Sequence, residues 1–86
     1  MIVSVLGKRW RFDETTTVEG GDCDAPTVPR KTIRVNPDLP PERHLDVTLH
    51  ELLHASDWHK DEEWVAQVAT DVARVLWRLG YRRESP

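Results

Sequence analysis

The apolar periodicity of this chain changes once, at Pro40-Pro41, and that change limits the fold more than any other feature. Before the two prolines, apolar residues recur every second position. Residues 2–6 are rich in Val, Ile and Leu and read as a strand. Residues 9–13 alternate Trp10 and Phe12 with Arg9, Arg11 and Asp13, and Lys31-Thr32-Ile33-Arg34-Val35 alternates again. After the prolines the spacing is helical. Leu45, Leu49, Leu52 and Leu53 mark one helix, and Val65, Val68, Ala69, Val72, Val75, Leu76 and Leu79 mark a second with a broad apolar face. Strands followed by helices, without alternation, give an α+β fold: a small sheet of about three strands and two main helices.

Local chemistry supplies the boundaries. Gly7-Lys8 is expected to turn the first strand into the second, and Thr15 to Val18 to extend that region. Glu19 to Pro29 reads as a turn-rich loop. Asn36-Pro37 ends the third strand, because proline cannot donate to a ladder. Pro40 and Pro41 suit the first turn of a helix that runs from Glu42 to near Trp58, with Leu49, Leu52 and Leu53 on its buried side. Asp61 is a good N-cap for the second helix and Gly80 a good C-terminal cap. Residues 82–86 read as a frayed tail. The 86 residues suffice for one domain, 1–86. A domain of that size buries only about 60–65% of its unfolded surface, so a bound metal would contribute appreciably to its stability.

Composition excludes several classes. With 38% hydrophobic and 31% charged residues the chain belongs with soluble globular domains. A net charge of −3 argues against a nucleic-acid partner, and the clusters Lys8, Arg9, Arg11 and Arg78, Arg82, Arg83 read as solvated ends. No run approaches the roughly 18 apolar residues of a membrane span, so no membrane partner is expected. Residues 1–6 are apolar but short, with no basic segment before them, unlike a signal peptide. Cys23 is the only cysteine, which rules out an internal disulfide and fits a cytoplasmic location.

The chemistry centres on His50-Glu51-Leu52-Leu53-His54. Histidines at i and i+4 lie one above the other on one helical face, so two imidazole nitrogens can reach one ion at roughly 2.0–2.1 Å. Glu51 is poorly placed to ligate, but well placed to take a proton from water beside the ion. This is the HExxH signature of zinc metallopeptidases. A catalytic zinc ion (Zn2+) takes three protein ligands and keeps one open position, so a third ligand is required. Asp61-Glu62-Glu63 opens the next helix. The apolar face of that helix favours Glu62, which lies nearer its edge than Glu63. Asp57 and His59 are lesser candidates.

The chain resembles the small gluzincin-type metallopeptidases, and more closely short bacterial and phage zincin-like proteins. The pattern is a Gly-Asp-Cys-Asp loop within residues 20–24, His-Glu-x-x-His-Ala at 50–55, Glu-Glu-x-Val at 62–65 and Leu-Trp-Arg-Leu-Gly-Tyr at 76–81. The metzincin branch fails, because its glycine and third-ligand positions are Asp57 and Lys60 here. In gluzincins the third ligand is a glutamate followed by apolar residues at +2, +5, +6 and +9. Val65, Val68, Ala69 and Val72 fit that spacing counted from Glu63. The resemblance therefore implies a metal set of His50, His54 and Glu63, with Glu62 as the alternate. It also implies that Glu51 is the general base, that the substrate is a peptide or protein, and that strand 31–35 is a sheet edge along which substrate lies. Tyr81, His59 and Arg34 stand open as donors to the developing oxyanion, and Cys23 as a residue close to the metal. The four tryptophans are expected in the core, with Trp58 and Trp64 walling the cleft. The residues also leave room for a metal-binding interaction or regulatory module with little turnover, and for a plain structural protein without metal.

Overall fold

The computed structural model describes residues 1–84. β1 (Ile2–Val5) and β2 (Lys8–Glu14) form an antiparallel hairpin. Its turn is Leu6-Gly7, one position earlier than expected, with φ of 51° and 74°. Positive φ at both turn residues matches the right-handed twist of a hairpin, and glycine takes the second without steric cost. β3 (Gly21–Cys23) pairs antiparallel with β4 (Thr32–Val35), and β4 pairs parallel with β2. The order is β1-β2-β4-β3, a four-stranded mixed sheet, followed by α1 (Pro41–Ser56) and α2 (Glu62–Arg78). The fold is α+β.

Two strand expectations are corrected. Gly21–Cys23, read as loop, is a strand, and β4, expected at the sheet edge, is interior. Ile33 and Val35 are fully buried and Thr32 nearly so, as a strand with neighbours on both sides should be. Gly and Asp are poor strand formers. β3 owes its conformation to its partner instead: Asn36 N–H donates to the Gly20 carbonyl at 2.8 Å and Asp24 N–H to that of Thr32 at 3.0 Å. Asp24 Oδ2 also accepts from Thr32 N–H at 2.9 Å. Beyond β2 only Thr15 continues the pairing, donating to the Val35 carbonyl at 3.0 Å. Its hydroxyl then accepts from Thr17 N–H at 3.2 Å, and the chain turns.

The molecule is layered as sheet, then α1, then α2. α1 touches β1, β3, β4 and α2, whereas α2 touches α1 and no strand. Trp10, Ile33, Val35, Val47, Val65, Ala69 and Ala73 form the core. Burial of each larger side chain contributes about 1.5–3 kcal/mol. Because α1 is covered on two sides its apolar residues divide between them. Leu49, Leu52 and Leu53 are half-buried, and the two buried residues of α1 are Val47 and Glu51. Of the tryptophans only Trp10 is buried; Trp58 and Trp64 are exposed.

α1 ends two residues before Trp58, where Ser56 Oγ donates to the Leu52 carbonyl at 2.8 Å and Asp57 turns extended. Asp61 caps α2 by accepting from Trp64 N–H at 3.0 Å. At the other end Gly80 N–H donates to the Trp77 carbonyl and Tyr81 N–H to that of Leu76, with Gly80 at φ 92°. Those bonds satisfy carbonyls the helix itself leaves open. The expected frayed tail is tied down at residues 82 and 83: Arg82 stacks on Trp77 at 3.4 Å, and Arg83 pairs with Glu14 at the end of β2. Residues 85–86 of that tail lie outside the described residues. Among the described residues no helix is long and apolar enough to cross a membrane.

Candidate metal centre

The face of α1 that meets β3 carries His50 and His54, one turn apart. Their Nε2 atoms stand 3.1 Å from each other. Glu62, the first residue of α2, reaches both: Oε1 lies 2.9 Å from His50 Nε2 and Oε2 2.7 Å from His54 Nε2. These are the three groups among the described residues that converge well enough to hold one ion. Donors about 2.05 Å from a tetrahedral ion stand about 3.3 Å from one another. The observed separations are a few tenths of an ångström shorter, so small outward shifts would admit an ion. Two imidazoles and one carboxylate could hold one metal ion.

Glu63, preferred from the resemblance, is replaced in this group by Glu62. The reason is the helical face that packs on α1. Val65, Ala69 and Ala73 are the buried residues of α2. At about 100° per residue Glu62 projects about 20° from the centre of that face and Glu63 about 120°. The apolar face read from the sequence favours Glu62; the apolar spacing implied by the resemblance is what points to Glu63.

Glu51 is 7% exposed, although it is a carboxylate in mid-helix. Burial pushes its pKa up to about 7. Nearby His50 opposes that rise, while Asp22 and Glu62 add to it. The burial depends on Gly21. A Cβ there would lie 2.7 Å from Val47 Cγ1, 2.8 Å from the Arg34 carbonyl oxygen and 3.2 Å from Glu51 Cγ. Only a residue without a side chain lets β3 lie this close to α1. Together these elements border an open cleft of about 480 Å³, lined by Gly21, Asp22, Cys23, His50, Glu51, His54, Trp58, Lys60 and Glu62.

The remaining candidates are distributed as follows. Cys23 lines the cleft but is not among the converging groups. Burial pushes its thiol up to about 12, helped by Glu51, Asp24 and Asp22 and opposed by Arg34, so it is a protonated wall residue at neutral pH. Arg34 is engaged by Asp22 at 3.0 Å and Asp24 at 2.9 Å, which fixes β3 to β4. Tyr81 lies past the far end of α2, about 25 Å of helix from Glu62. Asp57 and His59 are exposed and outside the cleft lining, as is Trp64, whereas Trp58 walls the cleft as expected. Sequence reasoning placed Asp22 and Cys23 within reach of the metal but missed Gly21 and Lys60 as cleft residues. Nothing in their local pattern separates them from an ordinary loop.

No family model, no curated protein and no solved structure matches this chain.

Proposed function

We propose that this chain is a zinc-dependent peptidase in which His50, His54 and Glu62 hold the ion and Glu51 is the general base. The observation that supports it is the meeting of two imidazole nitrogens and a carboxylate, brought from two helices, within 3.1 Å beside a buried carboxyl group. Magnesium and calcium prefer sites built of oxygen donors, whereas two imidazoles and one carboxylate suit zinc. When bound, the ion would polarise a carbonyl and bring the pKa of water towards about 7.

The chain's own groups would do the rest. Glu51, with a pKa near 7, is poised to accept a proton from water at neutral pH and to return it to the leaving amine. β3 offers the binding surface. In its pairing with β4, the backbone groups of Gly20, Asp22 and Asp24 point towards β4, so those of Gly21 and Cys23 point to the free edge beside the cleft. An extended peptide adding to that edge would be held by its main chain, with loose side-chain preference. Peptide or protein is therefore the substrate class. A reducing, cytoplasmic location belongs to the same reading and rests on the lone thiol of Cys23.

The test combines metal content and turnover. Wild type should purify with one equivalent of zinc and cleave an unstructured peptide library. Glu51→Gln should keep the zinc and lose at least about 100-fold in kcat. Glu62→Ala should lower zinc affinity by about 10-fold or more, while Glu63→Ala leaves it unchanged. Turnover by Glu51→Gln at the parent rate would refute the assignment of the base, and full zinc affinity in Glu62→Ala that of the ligand.

A further inference from the structure

α2 is the outermost layer, and α1 covers only part of its apolar surface. Val65, Ala69 and Ala73 are buried against α1. A second stripe, Trp64, Val68, Val72, Val75 and Leu79, runs along the helix about 100° around from them. Trp64 is 44% exposed, Val72 40%, Val75 57% and Leu79 68%. The spacing from Val68 onwards is four, three, four, that of a two-helix seam. No described strand packs on it, and Lys60 of the preceding loop lies over the Trp64 ring, 4.4 Å from its centre.

We infer that this stripe is the interface of a two-fold symmetric dimer in which α2 packs antiparallel on α2 of a second copy. The charges beside the stripe favour that occupant. Asp71 and Arg78 lie on the same flank, seven residues apart, and both are exposed. Laying the stripe on itself head to tail places Val72 against the partner's Val75 and Val68 against the partner's Leu79. The same operation brings Asp71 close to the partner's Arg78, and Arg78 close to the partner's Asp71. A parallel pairing would instead set these charges beside Ala69 and Leu76 of the second copy, without an opposite charge to meet. Antiparallel packing also joins opposite ends of the helix dipoles. A surface that complements itself under a two-fold rotation is what an isologous contact requires. The stripe offers on the order of 400 Å² per copy, half of the roughly 800 Å² per partner of a standard interface, so the dimer is a weak one. This inference does not depend on the metal centre, whose cleft opens towards β3.

Sedimentation equilibrium of the full chain from about 1 to about 300 µM would test it. Wild type should move from the 10.0 kDa of one chain towards twice that mass. Val75→Glu should stay monomeric, with a circular dichroism melt like that of wild type because Val75 is exposed. Asp71→Arg and Arg78→Asp should each weaken association by about 10-fold or more, and the double exchange should restore it. A wild-type monomer throughout the range would overturn the inference. So would a dimer that persists in Val75→Glu, or a double exchange that remains as weak as the single variants.

Discussion

Replacing Gly21 by alanine adds one methyl group at the place where sheet, active helix and candidate base meet. The new Cβ would stand 2.7 Å from Val47 Cγ1, 2.8 Å from the Arg34 carbonyl oxygen and 3.2 Å from Glu51 Cγ. Val47 is 5% exposed and has little room to rotate. The Arg34 carbonyl belongs to the neighbouring strand and has no rotamer to change. β3 must therefore separate from α1 or from β4. Overpacking of a filled site costs about 1–3 kcal/mol, and a clash with backbone belongs in the upper half of that range. For a domain of this size each kcal/mol lowers Tm by about 4–8 °C, so Gly21→Ala should melt about 10–20 °C below wild type. Gly20→Ala is the control. Nothing lies within 4 Å of a Cβ at Gly20, so it should be neutral or slightly stabilising, by less than about 1 kcal/mol. Thermal unfolding followed by far-ultraviolet circular dichroism reads both. If Gly21→Ala melted within about 3 °C of wild type, the close approach of β3 to α1 would not be what holds the site.

Two further predictions concern pH. Glu51 has a folded pKa raised from 4.5 to about 7, so the folded state keeps a proton that the unfolded state releases, and stability falls as pH rises through that interval. Metal-stripped Glu51→Gln escapes that fall and should exceed stripped wild type by about 3 kcal/mol at pH 8 in urea titrations, with no advantage at pH 4. Glu14 behaves oppositely: its hydrogen bond with Arg83, helped by His44, holds its pKa down to about 2 against the opposing effect of burial. The stability it contributes is complete above pH 4.5 and lost as pH falls towards about 2. Because Arg83 is 64% exposed, Arg83→Ala should cost only about 1 kcal/mol at pH 7. That difference should vanish near pH 2 in the same titration.

The secondary structure was legible where one physical signal dominated. β1, β2, β4 and both helices followed from periodicity, and both ends of α2 from the side-chain chemistry of Asp61 and the backbone freedom of Gly80. β3 was not legible, because three residues containing Gly and Asp carry no strand signal of their own. Its conformation comes from Val35, Arg34 and Ile33, 10 to 14 residues away in sequence. The same fact moved the sheet edge from β4 to β3. Pairing partners are a property of the fold, and no window of sequence contains them.

The candidate site divides along the same line. His50 and His54 converge because a single helix turn sets their separation, which is local geometry. The third group depends on how α2 is rotated against α1, and that rotation is set by which third of a wide apolar arc finds a partner. Val65, Ala69 and Ala73 find α1, so Glu62 is carried inward and Glu63 outward. The rest of that arc, Val72, Val75 and Leu79, is left uncovered. The cause is that α2 carries more apolar surface than a single helix neighbour can bury. If the dimer fills the uncovered part, it also fixes the rotation of α2 from its outer side. The position of Glu62 would then depend on association, and zinc should bind more tightly to the dimer than to Val75→Glu.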